Sequence, residues 1–158
     1  MKKIIILAIS FFISSSSLCA ENITTEDFIK RKEKCKTQSY LGLEKRKTIG
    51  YGFVGLKQNK MSCSDAEKLL REKINEISLF LKNENLINLS KNQSSSLISL
   101  IYNIGIPSFK NSKMLIHLKR GNYEKASEEF SAWVFVKGRV IKGLQERRKE
   151  EKLLFLQR

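Results

Sequence analysis

The chain has 158 residues, room for one domain with a small appendage, and its 30 Lys plus Arg against 16 Asp plus Glu give a formal charge of +14. Apolar residues at 41% and aromatics at 9% supply too much core material for a disordered basic tail. One proline excludes a proline-rich stalk, and His117, the single histidine, excludes a histidine-rich zinc site.

Residues 1–20 read as a secretory signal, so the protein is expected to be periplasmic or secreted. Lys2 and Lys3 precede an apolar stretch over residues 4–13, then four serines and Leu18-Cys19-Ala20, with cleavage expected after Ala20. The stretch is shorter than the roughly 20 residues a membrane span needs. Leu18 makes Cys19 a poor lipoprotein site, and an uncleaved, weakly hydrophobic anchor is the second reading. Cleavage removes two lysines and no acid, leaving residues 21–158 as a domain of 138 residues carrying +12. Outside the cytoplasm the common polyanions are cell-wall polymers and anionic lipid surfaces, so the charge is read as concentrating the protein there. Nucleic acid is not an expected partner.

Thr24 or Thr25 caps a predicted helix from near Glu26 to about Lys36, with Phe28 and Ile29 on its apolar side. Cys35 and Cys63 survive cleavage, and in an oxidising compartment such a pair reads as a disulfide. Its loop of about 29 residues would add roughly 3–4 kcal/mol of stability. The rival is a catalytic thiol served by His117.

Residues 39–53 read as a small β-hairpin. Within it Gly50 and Gly52 alternate with Ile49, Tyr51 and Phe53, leaving one strand face almost bare for a ligand's close approach, or marking a plain bulge. Ser62 opens the next helix with Asp65 in the capping-box position, and Ala66, Leu69, Leu70, Ile74, Ile77, Phe80 and Leu81 follow at helical spacing. Further helices are predicted over residues 93–104, 112–120, 123–130 and 144–156, punctuated by Gly105, Pro107, Gly121, Gly138 and Gly143. His117, among Leu115, Ile116 and Leu118, reads as a partly buried structural residue. The sum is an α+β fold, a mostly helical domain with one small β-hairpin near its N-terminus.

A glutamate near a helix end, facing a glycine-rich hairpin, suits acid catalysis, because a carboxyl set against apolar packing donates a proton near neutral pH. Glu33 holds that position, and Thr48 opens the strand across from it, where its hydroxyl could orient a water. By themselves these are a solvated acid and a β-branched strand residue. The series Glu33, Tyr40, Thr48-Ile49-Gly50-Tyr51-Gly52 resembles the phage-type lysozymes and endolysins (glycoside hydrolase family 24). Residues 61–70 resemble the family's capped helix after the hairpin, and Tyr102-Asn103-Ile104-Gly105 with Phe109, Ser112 and Met114-Leu115 its Phe-Asn-x-Gly segment. Ala132-Trp133-Val134, Gly138 and Gly143-Leu144, then Arg147-Arg148 and Glu151, resemble its C-terminal signature, so the likeness runs over residues 24–156.

The resemblance implies a lysozyme-like fold, a monomer, no metal or cofactor, and a muramidase acting on the glycan strands of peptidoglycan. Carried over, Glu33 is the general acid and Thr48 the residue beside the attacking water, while Tyr51 and Asn103 line the sugar cleft. Arg147 or Arg148 would pair with Glu33. The family's second catalytic position, an Asp or Cys nine residues after the acid, holds Gly42 here, Lys45 replaces the usual turn glycine, and Phe53 stands where a histidine often follows. Glycoside hydrolysis by direct water attack uses two carboxyls roughly 6.5–9.5 Å apart, and an acid–base residue is commonly worth about 10²–10⁴-fold in rate. Three outcomes are open. Glu44 re-enters the cleft as the second acid; the substrate's own 6-hydroxyl attacks, as in lytic transglycosylases; or chemistry is lost and the protein binds glycan or acts on membranes by charge. Muramidase activity is the leading expectation.

Overall fold

The computed structural model describes residues 24–42 and 45–157, so the secretory segment and Glu44 lie outside the described residues. Helix α1 (Thr25–Glu33) starts where the Thr24 hydroxyl accepts the Asp27 N–H at 3.1 Å, and it buries Phe28 and Ile29. It stops about three residues earlier than predicted. Lys34 turns left-handed (φ 52°) while its N–H closes on the Lys30 carbonyl, and the next residues are drawn into a disulfide and a strand.

Strand β1 (Lys36–Leu41) pairs antiparallel with β2 (Lys47–Gly50), placing Tyr40 opposite Thr48, and β3 (Phe53–Val54) completes a sheet of order β1-β2-β3. The predicted single strand through residues 48–53 is therefore a strand, a turn and a second strand. Gly50 and Gly52 adopt φ of +66° and +95°, which lets the chain reverse at Tyr51 and set Ile49 opposite Phe53. Cys35 bonds to Cys63, with Cα atoms 5.9 Å apart, so the end of α1 is tied to the start of α2 (Cys63–Asn83). That helix is capped as predicted by Ser62, whose hydroxyl accepts the Asp65 N–H, and turns Ala66, Leu70, Ile77 and Leu81 inward.

Helix α3 (Lys91–Ile104) opens with a full capping box between Ser90 and Gln93. The chain continues through α4 (Ile106–Lys110), α5 (Lys113–Lys119), α6 (Tyr123–Glu128) and a 3-10 turn (Glu129–Ala132). A two-stranded ribbon, β4 (Phe135–Val136) with β5 (Arg139–Val140), then leads into α7 (Lys142–Leu156). Helix α4 and the ribbon escaped the sequence reading. The ribbon turns at Lys137 and Gly138, both at positive φ, as tight hairpins favour.

Helix α3 packs against α1, α2 and α7. Its Leu97, Leu100 and Ile101 meet a core that includes the fully buried Phe109, Phe130 and Phe155. Toward α7 it presents serines instead, and the buried Ser96 hydroxyl donates to the Glu151 carbonyl at 2.6 Å.

Candidate active site

Glu33 is the last residue of α1 and opens on a cleft of about 600 Å³. Tyr40, Gly42, Thr48 and Gly52 line one part of it, and Asn103, Trp133 and Phe135 another. Two fields act on the carboxyl: the C-terminal end of α1 repels negative charge, and Arg147 attracts it. Arg147 Nη1 donates to Glu33 Oε1 at 2.5 Å. The other oxygen, Oε2, faces Gly52, where a Cβ would lie only 3.3 Å away, so the missing side chain keeps the acid uncovered. Gly50 serves differently, since a Cβ there would press on Phe53, Ala66 and Met61 at 3.0–3.2 Å; it allows core packing and offers no bare face to a ligand.

Between the two arginines the structure chooses Arg147. This guanidinium is nearly buried; its Nε donates to Glu151 at 3.0 Å and its Nη2 to the Ser99 carbonyl at 3.2 Å. Burial alone would lower its pKa, but Glu33 and Glu151 outweigh burial and raise it. Arg148 points elsewhere, donating from Nη2 to Asn103 Oδ1 at 3.0 Å. Burial lowers its pKa to about 10 despite the attraction of Glu151. Glu151 itself is fully buried and accepts the Ser99 hydroxyl at 2.6 Å, so one carboxylate anchors both arginines.

Thr48 is buried on β2, lines the cleft, and donates its hydroxyl to the Arg46 carbonyl at 3.0 Å; its lone pairs can still accept from a water. Gly42 also lines the cleft. A Cβ there would lie 2.9 Å from Thr48 Oγ1, so the hydroxyl occupies the space where a side chain at this position would begin. Asn103 lines the cleft. Tyr51 is not: its side chain is buried on the core side and its hydroxyl reaches Glu67 at 3.4 Å, because the turn between the two glycines rotates it inward. Only its carbonyl contributes, accepting the Tyr102 hydroxyl at 2.7 Å and pinning the turn. Glu44 lies outside the described residues. The Cys35–Cys63 disulfide leaves no thiol at either position for His117, which sits half-buried on α5 away from the cleft lining.

Sequence reasoning overlooked Glu151 and Ser99 as supports, and Tyr40 and Phe135 as cleft walls. The spacing of Arg147 and Glu151, four apart on one helix, was the available signal for the first. Tyr40 sits opposite Thr48, and burial, with the charge of Glu33 adding, raises its phenol pKa.

The phage lysozyme family profile matches residues 30–151. The chain is 36% identical over 139 residues to an endolysin of Bacillus phage B103, which covers 82% of this chain and 51% of that protein; the chain thus spans about half that relative's length. It is 35% identical over 137 residues to an endolysin of Acyrthosiphon pisum secondary endosymbiont phage 1, covering 80% of this chain and 91% of that one. Among solved structures, the muramidase domain of SpmX from Asticaccaulis excentricus superposes with a TM-score of 0.73 at 30% identity, covering 85% of this chain and 95% of that one. With an acid at the end of its first helix, a glycine turn facing it and a fold shared with these relatives, the chain belongs to the phage lysozyme family.

Proposed function

We propose that the protein is an exported muramidase that cleaves the bond between N-acetylmuramic acid and N-acetylglucosamine in peptidoglycan, with Glu33 as the general acid. The observation that carries this reading is the placement of Glu33: one carboxyl oxygen is fixed by Arg147 and the other lies against a bare glycine turn at the cleft. Thr48 is the water-side residue and Asn103 a sugar contact, both on the cleft wall. Family membership and the endolysin relatives support the substrate class, and the same relatives support a site of action at the cell wall. The test is digestion of purified sacculi by the mature protein. Reducing muramic ends that vanish in Glu33→Gln are expected, and release that persists in that variant rejects the assignment.

A second reading concerns the other half of the reaction. Glu33 is the one carboxylate among the described residues that line the cleft, and position 42 leaves no room for another while Thr48 keeps its present rotamer. That favours attack by the muramic 6-hydroxyl in place of an activated water. Mass spectrometry of the same digest separates the two, because 1,6-anhydro ends weigh one water less than reducing ends.

A further inference from the structure

A second hollow, of about 400 Å³, opens between the 3-10 turn and α7 and shares no lining residue with the cleft. Its walls include the apolar Phe130 and Val134 and the cations Arg148, Lys149 and Lys152, against one acid, Glu146. Arg148 is 2% exposed and only partly satisfied. Its Nη2 donates to Asn103 Oδ1 and, at 3.4 Å, to Glu151 Oε1, and its Nε lies 3.0 Å from Glu151 Oε2 without the alignment of a hydrogen bond. Its Nη1 has no hydrogen-bond partner among the described residues. A buried guanidinium with an unused donor is costly to leave so, and an anion is the group that satisfies it.

We propose that this hollow binds a small organic carboxylate, its charged end at Arg148 and its aliphatic part against Phe130 and Val134. The apolar walls fit a carbon tail and give an inorganic ion nothing. Glu146 stands against a second negative charge on the ligand, which disfavours phosphate. Lys149, exposed, and Lys152, half-buried, add the local field that draws an anion in. The occupant would act on the guanidinium whose Nη2 holds Asn103 on the cleft wall.

Thermal unfolding of the mature protein, titrated with sodium butyrate or N-acetylalanine at constant ionic strength, tests the site. Saturating carboxylate is expected to raise Tm by about 2–4 °C and to shift the Arg148 Nε–H signal in a nitrogen-15 correlation spectrum. Butyrate and N-acetylalanine separate a free fatty-acid-type ligand from a peptide-type carboxylate by which of them saturates at lower concentration. The decisive variant is Val134→Trp, which fills the hollow from its apolar side; it should fold by circular dichroism and lose the response. Lys149→Gln with Lys152→Gln, which leaves the core intact, should need roughly tenfold more carboxylate. A response no greater than that to sodium chloride overturns the proposal. So does an equal response to inorganic phosphate, or a full response in Val134→Trp.

Discussion

A side chain at position 52 would begin 3.3 Å from Glu33 Oε2 and would have to hold φ +95°, so Gly52→Ala is expected to lower both stability and turnover. The strained backbone accounts for about 1–3 kcal/mol in denaturant unfolding, and the crowded acid for a fall in sacculus clearing. Glu151→Gln acts from farther back. It leaves Arg147 with Glu33 alone and Arg148 buried with no ion-pair partner among the described residues, a change worth about 3–5 kcal/mol, and the loosened Arg147 should reduce kcat more than it raises KM. Tyr102 gives a pH signature. Burial, with the charge of Glu33 adding, holds its phenol above the ordinary value of 10. The unfolded chain therefore loses this proton first, and its contribution to stability, full below pH 10, is lost as pH rises beyond it. Tyr102→Phe should flatten that decline in unfolding measured from pH 9 to 11, at a cost of about 1 kcal/mol for the hydrogen bond to Tyr51. These residues differ in how readable they were. Glu33 and Thr48 could be placed by motif order, because their neighbours fix the register. Tyr51 misled, since two left-handed glycines rotate a side chain in a way that no alternation pattern records.

At the scale of elements, the disulfide closes the segment that holds the whole first sheet, and its ends lie beside the acid's helix and at the first turn of α2. Replacing both cysteines by serine is expected to lower unfolding free energy by about 3–4 kcal/mol in the chain-entropy account, with a matching gain in protease sensitivity between residues 35 and 63. Helices α2 and α3 were legible from an apolar period and a serine cap, whereas α7 has no side-chain cap and buries Arg147, Arg148 and Glu151 beside Phe155, so Gly143 was the cue to its start. Helix α4 is five residues long, too short for a period to show, and the sequence offered only Gly105 and Pro107 as punctuation. The β4–β5 ribbon is built from two-residue strands, and its Lys137-Gly138 turn is the sole local cue. What makes the ribbon matter, Phe135 on the cleft wall, is a tertiary fact that local pattern does not carry.

For the molecule as a whole, charge is unevenly spread. Residues 34–60 hold seven basic side chains and one acid. Retention on isolated, anionic cell walls should therefore weaken steeply between low and high salt, since a field of about 8–10 Å reach collapses with added ions; a binding isotherm of Glu33→Gln, which on the proposed mechanism leaves its support intact, measures this without interference. The fold class was legible from the balance of caps, periods and one glycine-rich hairpin. The cleft was not, because its parts come from both ends of the chain. Glu33 and Arg147 stand 114 positions apart, and their bond forms only once α7 has docked on α3. During synthesis Glu33 thus waits on a guanidinium made 114 positions later, and an interrupted translation product that lacks α7 would carry the carboxylate with no clamp to aim it.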